Sequence, residues 1–374
     1  MTNIRTMLAA LAILVTAGSA VAQTSNPILE NYRAYEAALA AGNLLAAERA
    51  AIAALAASEA RDGDGGRTAV LALNLANVRL QRGLPHDALA PAQRASGLVR
   101  EGGLVEPLDA ALTLGRAELG TGRPGAATRL RNAINQADAR GDMGDEAYAA
   151  AMELGAAELN ASRPAEARRL FLLAAEFARG GGEAQRVARA DALVSQGMAM
   201  MTIETTPAYS IARVFDDAIE LTRDVARRST PNEELSHTQI VYARAAAWEQ
   251  LHRSRLSAMD MPEGPQVDRA LLVDANSSDG TPVCALTVRR LPAPTYSEGL
   301  RERMINGSAA MVLFRTNSAG ETVEARTIAL AGAEEMAREI NVVAPRWNAS
   351  YSGAAGCSRA ALYLFPVRFY VDGN

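Results

Sequence analysis

From residue 28 to residue 255, apolar positions recur at i, i+3, i+4 and i+7, the stripe of an amphipathic helix. The stripe is cut at regular intervals. ALNLANVRLQRGLP (72–85), ALTLGRAELGTGRP (111–124) and AMELGAAELNASRP (151–164) align on their final Pro, at spacings of 39 and 40 residues. Gly83, Gly122 or Ser162 stands at each break, where a helix C-terminus favours Gly. Pro85, Pro124 and Pro164 follow two positions later and suit the first turn of a new helix, which does not need their missing N–H. Each unit therefore predicts helix, tight turn, helix. Small residues at Ala76, Gly115 and Gly155 and at Ala88, Ala127 and Ala167 allow the paired helices to approach closely. A looser copy precedes these units (Tyr32, Tyr35, Gly42, Ala47, Ala51) and another follows (Gly197, Pro207, Ala212, Phe215, Ala218), with a capping helix over 240–253. One such unit cannot bury its own apolar face, so neighbours must stack, and a fixed period in this range signals a repeat array.

After Arg255 the pattern changes. Residues 257–282 hold MPEGP, Asn276-Ser277-Ser278 and Asp279-Gly280, which is turn and linker chemistry. From Val283 the period moves towards two. A strand is expected over 283–288, a β-hairpin from SAAMVLFR (308–315) and ETVEARTI (321–328), a helix over 333–344, and a final strand over 361–371. Pro366 inside that last strand points to a sheet edge or a bulge. The expected fold is mainly α: a solenoid of helical hairpins over 23–256, a linker over 257–282, and a small α+β domain over 283–374.

The Leu-small pairs Leu75-Ala76, Leu114-Gly115 and Leu154-Gly155, the turn Gly and the following Ala make residues 28–255 resemble the tetratricopeptide repeat (TPR) family. That resemblance implies a right-handed superhelix whose concave groove binds peptides or proteins, without catalysis. The polar positions expected to face a partner are Asn74, Asn77, Arg116, Glu118, Glu153 and Glu158. In the last third, Pro294 and Tyr296, Gly307, Gly320, Trp347 and the alternating Val367, Phe369 and Val371 resemble the TonB C-terminal domain family. Ser297 stands where that family has Pro. The resemblance implies a small domain whose exposed strand edge pairs with an extended partner segment, the main chain supplying affinity. Tyr296, Arg346, Trp347, Arg368 and Tyr370 are the partner-facing candidates there; the alternative is that Tyr296 and Trp347 are core aromatics and that Pro366 protects the edge from aggregation.

The N-terminus adds an address. Arg5, the nearly uncharged stretch Met7–Val21 and the Ala20-Val21-Ala22 exit before Gln23 read as a secretory signal peptide over 1–22. The apolar run, about 15 residues, is shorter than the roughly 20 of a spanning helix. An uncleaved membrane anchor is the alternative. The formal net charge of −4 gives no footprint for nucleic acid. All basic residues apart from His are Arg, and together with the abundance of Ala this suggests a GC-rich bacterial genome. An exported chain of that kind is expected in the periplasm of a Gram-negative bacterium. The two cysteines, Cys284 and Cys357, favour a disulfide in an oxidising compartment, with two buried thiols as the alternative.

His86, His237 and His252 have no metal-ligand spacing, and neither G-x-S-x-G nor a P-loop occurs. RDGDGGR (61–67) reads as a flexible connector rather than a calcium loop. No cofactor, metal or catalytic role is expected. The expectation is a periplasmic adaptor, with helices gripping one protein and the TonB-like domain docking another, such as an outer-membrane receptor or envelope protein. A TonB-type energy transducer is the alternative; it requires a membrane anchor and a long Pro-rich spacer, where this chain has a repeat array.

Overall fold

The repeat is set at its turns. In the computed structural model, Gly42, Gly83, Gly122 and Ser162 all take the left-handed conformation, with φ of 69°, 72°, 68° and 57°, at intervals of 39 to 41 residues. Around Gly83, its own N–H donates to the Leu80 carbonyl (2.9 Å) and the N–H of Leu84 to the Arg79 carbonyl (2.9 Å). Gly42 and Asn43 repeat the pair on Leu39 and Ala38, and Gly122 and Arg123 on Leu119 and Glu118. Ser162 bonds Leu159 in the same way. This closure satisfies carbonyls that a helix end otherwise leaves without partners. Ser162 is the one non-glycine residue at positive φ among the described residues.

The structure describes residues 26–100, 102–141, 144–228, 235–255, 271–272, 284–289, 308–316, 321–352, 355–357 and 362–369. The signal segment, nearly all of the linker, the helix expected near 297–305, Pro294, Tyr296, Gly307, Gly320, Tyr370 and Val371 lie outside them. Contacts divide the chain into two compact units, one of residues 1–162 with 176–178, the other of residues 163–175 with 179–374.

The first unit contains α1 (Pro27–Ala40), α2 (Leu44–Asp62), α3 (Gly66–Gln81), α4 (Pro85–Leu98), α5 (Pro107–Gly120), α6 (Ala126–Arg140) and α7 (Asp145–Asn160). Pro27, Pro85 and Pro107 each open a helix, as their fixed φ favours. Pro124 does not. Gly125 after it is left-handed (φ 74°), which no helical residue can be, so α6 begins only at Ala126. Pro91 lies inside α4 and cannot donate to the Asp87 carbonyl. Arg79 Nη1 donates to that oxygen instead, at 2.9 Å.

Small residues set the helix spacing. Ala76, Leu80, Ala88, Ala92 and Ala117 form one buried cluster. A Cβ on Gly115 would stand 2.9 Å from Leu130 Cδ1 and 3.3 Å from its Cα, so α5 and α6 meet almost backbone to backbone. Gly120 is as tight against Pro85, at 2.5 Å. In α3 every residue from 71 to 78 is buried, which periodicity alone does not predict.

The second unit holds most of α8 (Pro164–Phe177), up to Ala175, then α9 (Glu183–Met201), α10 (Ala208–Arg228), α11 (His237–Arg255) and the strands. Gly197 on α9 admits the Phe215 ring of α10. Strand β1 (Leu271–Leu272) is followed by β2 (Ala285–Arg289), β3 (Ser308–Thr316), β4 (Thr322–Ala331), α12 (Glu335–Val343), a 3-10 turn (Ala344–Arg346), β5 (Asn348–Ser352) and β6 (Leu362–Phe369). The main sheet is antiparallel in the order β1-β6-β3-β4, while β2 and β5 pair separately as a ribbon. The expected hairpin, second helix and last strand are present, and β5 is an element the sequence pattern did not reveal.

Both faces of β3 are buried. Ala310, Val312 and Phe314 join Met336, Ile340, Trp347, Tyr363 and Phe365 in the core of one face. Ala309, Met311 and Leu313, of opposite parity, are buried too, and α11 packs across β3, β4 and β6. That accounts for the unbroken apolar run SAAMVLF: a strand covered on both sides has no solvent face to mark with polar residues. The helix expected to cap the array thus packs against the sheet, and the two share one core.

Candidate functional site

In the first unit the opening helices of successive hairpins, α1, α3, α5 and α7, carry equivalent polar positions. Nine residues before each left-handed turn residue stand Arg33, Asn74, Thr113 and Glu153. Six before it stand Glu36, Asn77, Arg116 and Ala156. The structure joins the second set of one helix to the first set of the next. Thr113 Oγ1 donates to Asn77 Oδ1 (3.0 Å), and Arg116 donates to both oxygens of Glu153 (3.1 and 2.7 Å). Asn77 Nδ2 also donates to Glu146 Oε1 at 3.2 Å, linking α3 to α7. The corresponding rung between Glu36 and Asn74 is not made. Glu36 engages Tyr32, and Asn74, only 6% exposed, keeps an Nδ2 with no hydrogen-bond partner.

Four residues before the turns a second series appears. Glu118 receives Arg129 (2.8 Å) and Glu158 receives Arg131 (2.5 Å), so α6 is clamped to α5 on one side and α7 on the other. Arg79, at the same position in α3, pairs with Glu48 of α2 (2.8 Å), which Arg82 also engages. Glu158 is 1% exposed, so its charge is stabilised by the guanidinium and not by water.

These bonds change the picture drawn from sequence. Asn74, Asn77, Arg116, Glu118 and Glu158 were expected on a solvated groove; the structure buries them, and all but Asn74 bond to neighbouring helices. Glu153, at 40% exposure, is the member of the set that keeps substantial access to solvent. Thr113, Glu146, Glu48, Arg79, Arg129 and Arg131 complete the network and were not singled out beforehand. Two of them carry a signal in the sequence: Thr113 and Arg79 stand at the same offsets before the turns as the other members of the two series.

Burial, then the Glu36 charge, pushes the Tyr32 phenol up to about 12. Tyr35 is driven further in the same direction by burial first, then by Tyr32, Glu146 and Glu36. Both remain neutral through the physiological range. Asp216 on α10 is raised mainly by burial, although Arg253 opposes the shift.

In the second unit Trp347 is a core residue, 1% exposed, stacked on Phe314 with centroids 5.8 Å apart. Its carbonyl accepts the Thr322 hydroxyl at 2.5 Å. Arg346 is exposed, and Arg368 lies on β6. Cys284 and Cys357 form a disulfide across 73 residues, and the Tyr363 hydroxyl donates to the Cys284 carbonyl at 3.0 Å. β1 covers β6 only at Leu364 and Tyr363. Beyond them, residues 365–369 pair on that side with no described strand, and Pro366 has no N–H to offer.

Among the described residues no cluster of three His, Cys, Asp or Glu could hold a metal ion, and no helix is long and apolar enough to cross a membrane. No family model matches the chain. No curated protein matches it in sequence. Among solved structures, a crystal structure of MamA protein aligns with 55% of this chain and 98% of its own, at 17% identity and a TM-score of 0.36. A superposition that loose carries no argument, so the helical-hairpin repeat stands on the shared turn geometry and the recurring bonds between hairpins.

Proposed function

We propose that this chain is an exported protein-interaction adaptor whose TPR-like helical array holds one protein partner. The observation that carries this is the recurrence of one left-handed turn at Gly42, Gly83, Gly122 and Ser162, with equivalent positions bonded from hairpin to hairpin. Such stacks bury a continuous core and present an extended face, which suits them to gripping polypeptides. The buried polar ladder fixes that face, and the surface available to a partner lies around Glu153 and the exposed Ala111 and Ala156. The sheet would dock a second partner, an outer-membrane receptor or other envelope protein, by strand addition along β6 after Leu364, as in TonB C-terminal domains. Export by the N-terminal segment would place the adaptor in the periplasm.

Photo-crosslinking residues placed at Ala111 and Ala156 test the array in intact cells. A discrete adduct is expected, and its protein component should bind the purified chain and bind Glu153→Arg about tenfold more weakly. Crosslinking to nothing in particular, from a chain that is folded and abundant, would remove the adaptor reading. N-terminal sequencing tests the address: a mature start at Gln23 is expected.

A further inference from the structure

A cleft of about 430 Å³ opens in the second unit where α9, α11, the end of β4 and the start of α12 converge. Met198 and Leu330 supply apolar walls, and the partly exposed indole of Trp248 lines the same space. Two charges border it. Arg244 donates to Asp191 Oδ1 at 2.5 Å, so its charge is already balanced. Glu334 is exposed and, among the described residues, has no hydrogen bond or ion pair from its carboxylate. The cleft therefore presents one uncompensated negative charge beside an aromatic ring.

The neighbouring strand edge is blocked along one part and open along another. β4 is the outermost strand of its sheet. From Thr322 to Thr327 it is met by α12 and the chain that follows: the Thr322 hydroxyl donates to the Trp347 carbonyl, and the Thr327 N–H donates to Asn341 Oδ1 at 2.6 Å. Towards Leu330 and Gly332 the described residues provide no such cover, and there the strand borders the cleft.

We propose that this cleft receives an arginine side chain carried on an extended segment of a partner protein. The guanidinium lies between the Trp248 ring and the Glu334 carboxylate, while the segment's main chain follows the open end of β4. Tryptophan is the strongest aromatic partner for a cation, and arginine is the cation that most often takes this geometry. An anionic ligand is disfavoured, because Arg244, the cation lining the cleft, is held by Asp191 and Glu334 would repel it. The site belongs to the second unit alone and does not depend on what the helical array binds.

The test uses the full chain labelled with 5-fluorotryptophan and fluorine NMR. The two tryptophans give two resonances, and Trp248→Phe identifies which is which. Buried Trp347 reports whether the fold is intact. The probe is a blocked pentapeptide, Ala-Val-Arg-Val-Ala, compared with versions carrying citrulline or Glu in place of Arg. The Arg peptide is expected to shift the Trp248 resonance and leave Trp347 still. Citrulline in the peptide, or Glu334→Gln in the protein, should weaken binding about tenfold, and added salt should weaken it further. A Trp248 shift of equal size and midpoint with the citrulline or Glu peptide would overturn the proposal. So would an unmoved Trp248 resonance at millimolar Arg peptide, or unchanged binding by Glu334→Gln.

Discussion

Replacing glycine by alanine inside a helix should stabilise it by about 1 kcal/mol, because Ala has the best helix propensity and Gly nearly the worst. At Gly197 the structure requires the opposite sign. A methyl there would stand 2.5 Å from one Phe215 ring carbon and 2.6 Å from another, where van der Waals contact sits near 3.5–4.0 Å. Phe215 is fully buried, so its ring has no solvent-ward escape, and α9 and α10 must separate by about 1 Å or the ring must leave its rotamer. Overpacking of this kind costs about 1–3 kcal/mol. With the propensity gain of about 1 kcal/mol subtracted, Gly197→Ala should destabilise by up to about 2 kcal/mol. Gly97 on α4 is the control: it is exposed, with nothing within 4 Å of its Cβ position, and Gly97→Ala should stabilise by about 0.5 kcal/mol so near the helix end. Phe215→Leu should remove the clash, so Gly197→Ala costs nothing in that background. Guanidinium unfolding measured by circular dichroism, with hydrogen exchange of the α9 and α10 amides to localise the effect, reads the wild type and all four variants. If Gly197→Ala is neutral or stabilising in wild type, the close-approach argument fails.

The turns give a second pair. Ser162→Gly should stabilise and Gly122→Ser destabilise, each by about 1 kcal/mol, because left-handed φ disfavours a side chain and Gly122 has no neighbour to complicate the comparison; thermal unfolding reads the sign. Arg131→Met removes the guanidinium 2.5 Å from the buried Glu158 carboxylate and should cost about 3 kcal/mol, while Glu158→Gln/Arg131→Met recovers most of that in a double-mutant cycle. Tyr32 and Tyr35 ionise less readily folded than unfolded, so the stability they hold below pH 10 is lost as pH climbs from 10 towards 12. With no Lys in the chain to titrate alongside, Tyr35→Phe should flatten that alkaline limb in denaturant titrations at pH 9 and pH 11. Reducing Cys284–Cys357, which closes 73 residues, should lower the stability of the sheet by about 4 kcal/mol on the chain-entropy argument, seen as earlier loss of amide protection in β3 and β6.

The expected partner face shows how far one-dimensional pattern reaches. Asn77, Arg116 and Glu158 look like any polar residues on a solvated helix side, because periodicity reports only that they avoid the stripe of Leu and Ala. Their partners, Thr113, Glu153 and Arg131, sit 27 to 37 residues away on other helices. No local propensity encodes that distance. Trp347 is a similar case. Its match to the TonB C-terminal pattern makes it a docking candidate in sequence, and its stacking on Phe314 makes it core.

Local sequence determined what local physics controls: helices from their apolar stripe, breaks from Gly or Ser at the left-handed position, the β-hairpin from its alternation, and the last strand around Pro366. Tertiary structure decided the start of α6, because Gly125 and not Pro124 governs the backbone there. It also decided the pairing of β2 with β5, the burial of both β3 faces beneath α12 and α11, and the consumption of the polar ladder by neighbouring hairpins. The division follows from range. A turn or a helix is stabilised by residues within a few positions of one another, whereas exposure depends on where the next element packs, and that is fixed only when the whole core assembles.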